Sequence, residues 1–550
     1  MGYSEAYCHL CGVSFNIARR RKPGEPDLAS WDYAGGQDDY PPVDEVEDLL
    51  ECAKKGCCIA VKQPRDEPEN DLAEDLDYVP QKDTEDELEY DSEHDSSDVM
   101  SLDDEQEDDD GDENMDDADS YQDFLARTVI PQKFRGEPVG NLAYSNNRNE
   151  IILSITSDDV PEGYDTTELE HIPGPTCEEA RAYSGHAISL EEMRGCRTAQ
   201  FLVHKDTSSE PWHPDGLHET WELSESYFLS GLCDGMASRD CSDQHVSPMR
   251  GGYGIVRADN INFDPEWTPA NDIAMPFHPW CFDIFSRQSK AKFGKVNVSG
   301  LMRWRNSAFD YDDFHNFPRD GDVYEAREQS WRHYPGKEYL AANPLYVPDL
   351  PAFLMDFDGE KTEKVEYGIQ SVQDTEYSPS PSQSCGSDIL ASLPLDIRLL
   401  LVDYLESVDI TSLRMASKAF TKLPNGIWYR LVRMKMPWLW EAWGGSSHIP
   451  SPWTTMTANE VKVLYHERRR YSDLLGGEYT PVEGITDFLL PLPSTVPDQV
   501  KLSREKTDWH RLYTEIKRNW PKLKGLRNRK RIWEDVADII QRIEESEGRQ

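Results

Sequence analysis

Two short runs of this sequence carry residues at metal-ligand spacing. Cys8-His9-Leu10-Cys11-Gly12 sets two thiols three residues apart, the interval at which two thiolates converge on one ion, and Gly12 relieves the tight turn that follows. His278-Pro279-Trp280-Cys281 is the complementary half. Pro279 suits the first turn of a helix, which would place His278 and Cys281 at adjoining positions of its N-terminus. A set of three cysteines and one histidine points to one structural zinc ion, because four protein ligands leave no open position for water or substrate. Such an ion would pin the N-terminus to the middle of the chain. Cys52, Cys57 and Cys58 compete as partners of Cys8 and Cys11, being nearer in sequence. His278 and Cys281 are preferred because a helix start fixes their geometry, whereas adjacent cysteines rarely give both sulfurs to one tetrahedral ion. Buried thiols beside a core histidine are the bland alternative.

The remaining cysteines and histidines form no comparable pattern. Cys177, Cys196, Cys233 and Cys241 lack a Cys-x-x-Cys interval and read as buried thiols. His213, His218 and His245 are scattered on apparent loops, which disfavours a catalytic metal. No Gly-x-Ser-x-Gly elbow or phosphate-binding loop occurs. The cysteines number 11, and the N-terminus lacks the charged and apolar regions of a signal peptide, so thiols or metal ligands are expected over disulfides. An intracellular location, cytoplasm or nucleus, follows as the expectation, with no membrane segment.

The elements that must position these residues are set by composition. The chain has 550 residues, 57 Lys+Arg and 104 Asp+Glu, a formal charge of −47 that disfavours binding to a phosphate backbone. Apolar residues make up 37%, so part of the chain should be unable to fold alone. From Asp66 to Asp123 there are 29 acidic residues against one lysine, a run whose few apolar residues cannot offset the entropy of ordering. The expected organisation is multidomain. It comprises a cysteine-containing N-terminal segment (1–64), an acidic disordered segment (65–125), an irregular α+β central domain (126–358) that zinc would pin, and a Ser/Pro linker (359–387). An all-α module (388–435) and a helical, Trp-rich, basic C-terminal region (436–550) complete it. Within the central domain, Ser189-Leu190-Glu191-Glu192 has capping-box spacing for a helix, and a second helical run is expected from Leu223 to Met236.

The run from Leu393 to Trp428 is the most patterned. Ile397, Leu401 and Leu405 recur at four-residue spacing and place a stripe on one helix. Asp409 is positioned to cap a second helix in which Leu413 and Ala416 face inward. Phe420 follows, and Leu423-Pro424-Asn425 turns the chain into a third helix bearing Trp428 and Leu431. A unit of about 45 residues is near the lower limit for independent folding, so it should lean on a partner or on neighbouring segments.

These residues resemble the F-box, a short helical module that binds the Skp-type adaptor of cullin-RING ubiquitin ligases. Leu393, Pro394, Asp396, Ile397, Leu401, Leu405, Ile410, Leu413, Ser417 and Trp428 fall at the family's recurring positions, with Ala416 in place of the usual Val and Phe420 in place of the usual Trp. More widely, the chain is similar to fungal F-box proteins of undetermined substrate. The shared features are the Cys-x-x-Cys-Gly start, the central Glu-Glu-Met-Arg-Gly-Cys segment and the Phe-His-Pro-x-Cys-Phe segment. The Cys-x-x-Cys start and the Phe-His-Pro-x-Cys-Phe segment also resemble the halves of LIM-like zinc modules, here separated by some 270 residues. The F-box resemblance implies a non-catalytic substrate receptor. It would contact the adaptor through Leu393, Pro394, Asp396, Ile397, Leu401, Leu405, Ile410, Leu413 and Trp428, with a cullin scaffold beyond and a protein substrate.

In the C-terminal region Trp440 and Trp443 are expected on one helix face, in the core, with Trp438 pointing elsewhere. From Lys501 to Trp533 there are 12 basic residues against three acidic ones. Arg527-Asn528-Arg529-Lys530-Arg531 reads as an import signal, a solvated helix face or the partner of the acidic segment, and nucleic acid is disfavoured by the overall charge. Two rival functions stand beside the receptor: an interaction scaffold outside ubiquitin transfer, and a zinc-dependent hydrolase in the central domain.

Overall fold

The architecture follows from which apolar runs find partners. A computed structural model describes residues 7–25, 29–30, 49–62, 150–154, 169–178, 181–207, 211–214, 217–234, 250, 274–308, 319–328, 333–357, 388–443, 448, 450–454, 456, 458 and 500–548. These all belong to one unit. The acidic segment and the Ser/Pro linker lie outside the described residues. In chain order the elements are β1 (Arg19–Arg20), α1 (Leu49–Lys54), β2 (Cys58–Lys62), β3 (Glu150–Ser154), β4 (Leu169–Ile172), β5 (Tyr183–Ser184) and β6 (Thr198–His204). They continue with β7 (Tyr227–Leu229), β8 (Cys233–Asp234), β9 (Met275–Phe277), α2 (Pro279–Phe293), α3 (Val298–Ala308), α4 (Gly321–Glu328) and α5 (Leu350–Met355). Last come α6 (Leu395–Asp403), α7 (Ser407–Ala416), α8 (Asn425–Lys435), α9 (Trp509–Arg518) and α10 (Lys524–Glu547). None of the described helices is long and apolar enough to cross a membrane.

The first core is built on β6. Its residues from Thr198 to Val203 are all buried, the pattern of a strand covered on both faces. It pairs antiparallel with β7, β8 and β9, with Leu202 opposite both Leu229 and Met275. β9 runs directly into α2, so the sheet delivers His278 and Cys281 to a fixed place. α10 packs on α2 and α3 and brings Ile532, Val536, Ile539 and Ile543 into the same core as Leu10, Phe15, Phe201 and Phe285. The N-terminal, central and C-terminal stretches thus share one interior, and neither 64 nor 436 marks a boundary between cores.

Two local expectations change. Ser189 and Glu192 make the reciprocal capping-box bonds (Glu192 N to Ser189 Oγ 3.1 Å, Ser189 N to Glu192 Oε2 2.9 Å). They cap only a series of turns, because Gly195 takes φ 78° and the chain passes at once into β6. The run from Leu223 holds two strands, β7 and β8, because Tyr227-Phe228-Leu229 pairs with β6 and is buried on both faces. A short apolar run of this kind fits strand and helix equally until its partner is known.

The second core holds α6, α7 and α8 against α9. α7 begins at Ser407 after Glu406, which places Asp409 inside the first turn instead of at the cap. Val402, Ile410, Phe420, Ile427, Leu431 and Val432 point inward. Trp428 packs on His510 and Tyr513 of α9, with ring centroids 4.4 Å and 6.1 Å away. Asn425 ties the two helices, donating to the Thr507 carbonyl at 2.7 Å and accepting from Trp509 N at 3.0 Å. The small helical unit therefore does lean on its neighbours.

Candidate functional site

Cys8 and Cys11 sit in a tight reversal. Cys8 N donates to the Val13 carbonyl at 2.9 Å and Gly12 N to the Cys8 carbonyl at 2.7 Å. Gly12 has φ 73°, a conformation that costs other residues about 1–2 kcal/mol. Opposite, His278 is the N-cap of α2 with φ −72° and ψ 134°, and Pro279 opens the helix, so His278 and Cys281 project from the same end. The ligand atoms of Cys8, Cys11, His278 and Cys281 all lie within 4.8 Å of one another, fully buried. Zinc bonds of about 2.3 Å to sulfur and 2.0 Å to nitrogen set a sulfur–nitrogen edge of about 3.5 Å on a tetrahedron. Cys11 Sγ and His278 Nδ1 are 3.6 Å apart. His278 Nε2 lies 3.0 Å from the Cys196 carbonyl, which fixes the ring with Nδ1 toward the sulfurs, the usual outer-shell arrangement of a ligating histidine.

The electrostatics suit a cation. Burial pushes the Cys8 and Cys281 thiols up. Burial opposes ionisation of Cys11 too, but hydrogen bonds from Cys281 and Cys8 and the charge of His278 outweigh it and hold Cys11 well below the ordinary thiol value. A metal ion entering this set would displace the protons of the other two sulfurs. Arg531 of α10 donates to the Cys11 carbonyl at 2.8 Å and is itself held by Asn528 at 2.7 Å. Burial raises Asp535 to about 8 despite the nearby Arg531 and Arg319.

The basic stretch near the C-terminus is largely engaged inside the molecule. Arg529 is fully buried, bonds both Glu441 carboxylate oxygens at 2.9 Å, and stacks on Trp440 at 3.8 Å, whose other cation partner is Arg287 at 4.2 Å. Arg527 lies 3.6 Å from the Tyr339 ring, and Lys524 pairs with Glu192. Arg529 and Arg531 face inward, so this run is not one solvated helix face. Trp440 is buried, as expected of core, but it stands on a single 3₁₀ turn; Trp438, expected to point elsewhere, is buried too, and Trp443 is half-buried.

A second cluster was not legible as a site. Cys52, Cys57, His171 and Cys177 also place their ligand atoms within 4.8 Å of one another, all buried. Cys57, weighed only as a rival ligand of the first pair, and Cys177, read as a plain thiol, belong here. Cys58 points elsewhere and is half-buried. His213 and His218 join no such group among the described residues, and Cys241 and His245 lie outside them.

The helical module has one wet apolar face. On α6 the inward side is Leu399 and Val402, with Leu405 turned inward just beyond its end, while Ile397, Leu400, Leu401 and the C-cap Tyr404, at the i, i+3, i+4, i+7 spacing of a single helix face, are exposed. Leu400 is 50% exposed, Leu401 41% and Tyr404 83%, and Val408 and Met415 on α7 are also open. Of the residues implied as adaptor contacts, Pro394, Asp396, Ile397 and Leu401 are exposed, and Leu393, Leu405 and Leu413 half-buried. Ile410 and Trp428 are interior and shape the module from within. Ala416, expected inward, is exposed, because α7 turns Ile410 and Leu413 to the core. Ser417 and Asp388 lock the module's entry: Ser417 Oγ donates to the Asp388 carboxylate at 2.7 Å, and Leu390 N does so at 3.2 Å. Leu400, Tyr404, Val408 and Met415 were missed, although a second helical period through α6 marks Leu400 and Tyr404.

No family model matches the chain. A stretch of 72 residues, 13% of this chain, is 46% identical to a mitochondrial ATP-dependent RNA helicase, mss116, of Aspergillus oryzae (strain ATCC 42149 / RIB 40). That stretch spans 11% of the helicase's length, so the likeness is to a fragment of that protein. No solved structure matches.

Proposed function

We propose that this chain is a non-catalytic substrate receptor that docks a Skp-type adaptor, and through it a cullin scaffold, by the outer face of α6 and α7. The observation that carries this reading is the run Ile397, Leu400, Leu401 and Tyr404, exposed on a helix whose other side is already packed. A contiguous apolar patch left wet on a folded module is the usual mark of a partner surface. The F-box resemblance includes Ile397 and Leu401 of this run and names the partner. Receptor function is then a matter of proximity, with a bound substrate held near a charged conjugating enzyme at raised effective concentration.

In the same reading, Cys8, Cys11, His278 and Cys281 hold one structural zinc ion. The sulfur–nitrogen spacing and the Cys196 carbonyl behind His278 support that assignment. A closed four-ligand site sets no water against a substrate, which favours a receptor over a hydrolase. Co-purification tests the proposal: the full-length chain should capture a Skp-type adaptor together with a cullin. Capture of the adaptor without the cullin would favour a scaffold outside ubiquitin transfer, and capture of neither would end the proposal.

A further inference from the structure

A second group of buried cysteines with a histidine gathers beside the small sheet formed by β2, β3 and β4. β2 pairs antiparallel with β3 on one side and β4 on the other. Cys52, Cys57 and Cys177 form a buried cluster separate from both main cores. We infer that Cys52, Cys57, His171 and Cys177 hold a second structural zinc ion, at the end of the sheet where β2 begins and β4 finishes.

The geometry favours an ion over loose thiols. Cys52 Sγ and Cys177 Sγ are 3.9 Å apart, near the sulfur–sulfur edge of about 3.8 Å on a zinc tetrahedron and far beyond the roughly 2.05 Å of a disulfide. His171 Nε2 lies 4.0 Å from Cys177 Sγ. Two tight loops present the ligands. One runs from Cys52 at the end of α1 through Gly56, with φ 77°, and Cys57 N returns to the Cys52 carbonyl at 3.1 Å. The other follows β4, where Gly174 N donates to Cys57 Sγ at 3.2 Å, a bond that stabilises a thiolate. The loops press so close that a Cβ on Gly174 would stand 1.9 Å from the Lys55 carbonyl oxygen. The same strand carries Glu170, which pairs with buried Arg21 at 2.7 Å and ties the sheet to the segment that follows the first cluster.

The two sites should differ in grip. The Cys196 carbonyl holds the outer nitrogen of His278, whereas no group among the described residues bonds His171 Nδ1. Outer-shell partners of this kind are worth about 10–100-fold in metal affinity, so the second site releases its ion first.

The test uses the full-length chain and counts zinc by mass spectrometry, then follows a chelator titration and backbone hydrogen exchange. Two zinc ions per chain are expected, with one remaining in Cys52→Ser and in Gly174→Ala, which leaves every ligand in place. Chelator should remove the two in separate phases, the earlier one absent from both variants. Amides of β2 and β4 should lose protection in those variants while α2 keeps its own. A single zinc in the wild-type chain that both variants retain would overturn the inference, as would two missing titratable thiols from a Cys52–Cys177 disulfide in the purified chain. Release of the first site's ion ahead of the second would overturn the affinity order.

Discussion

Replacing Cys281 by serine tests how the N-terminal segment is held, and the structure gives the size of the effect. Residues 7–21 enter the first core through Tyr7, Leu10, Val13, Phe15 and Ile17, all buried. At about 1.5–3 kcal/mol each, those side chains contribute about 8–15 kcal/mol. Fixing the backbone of the segment costs about 15–30 kcal/mol at about 1–2 kcal/mol per residue. The shortfall is close to the roughly 10–16 kcal/mol that a structural zinc ion supplies in small metal-dependent folds. Cys281→Ser should therefore release the first ion and convert amides 8–21 to fast hydrogen exchange. The helices of the second core, which touch none of the four ligands, should keep their protection. If Cys281→Ser retains its zinc, or loses it with no change in the exchange of residues 8–21, the reasoning that metal holds this segment is wrong.

Adjacent residues of α6 should respond in opposite ways. Val402→Asp sets a carboxylate in a fully buried position and should unfold the module by several kcal/mol, seen as a lost thermal transition of the second core. Leu400→Asp, on the wet face, should move stability by about 0.5 kcal/mol or less while weakening adaptor binding at least about 100-fold in a titration. Arg529→Met strips the buried Glu441 pair of its cation and should cost about 3–5 kcal/mol by denaturant melt. Burial lowers His333 to about 3, so the folded chain refuses a proton that the unfolded chain accepts below about pH 6.5. That contribution is complete above about pH 6.5 and lost as pH falls toward 3, at about 1.4 kcal/mol per pH unit. The stability advantage over His333→Gln should shrink by about 2 kcal/mol between about pH 6.5 and pH 5, and an unchanged difference would refute the assignment.

What could be read from sequence was chemistry written locally. Cys8, Cys11 and Gly12 form their turn from neighbouring residues, and Pro279 fixes the helix start that aims His278 and Cys281. The three helices between Leu395 and Lys435 follow from their own periodicity and turn residues. The second cluster could not be read in the same way. Its ligands are spaced by five and six positions, and they meet only because β2 pairs with β4 across more than a hundred residues.

The errors have the same origin. The stripe Ile397, Leu401, Leu405 runs past the end of α6 at Asp403: Ile397 and Leu401 stand on the exposed face of the helix, and Leu405 turns inward beyond it. Tyr227-Phe228-Leu229 became strand once β6 offered an edge. Arg529 and Arg531 looked available because charge counted along the chain does not show that Glu441, Asn528 and Asp535 wait inside the fold.

The central claim is that the outer face of α6 and α7 is the adaptor surface. Its most direct measurement is a calorimetric titration of the zinc-loaded, full-length chain with a purified Skp-type adaptor, repeated with Leu400→Asp. The account predicts one-to-one binding with a negative heat-capacity change, abolished by the substitution. No heat from the wild-type chain, or equal binding by the variant, would contradict it.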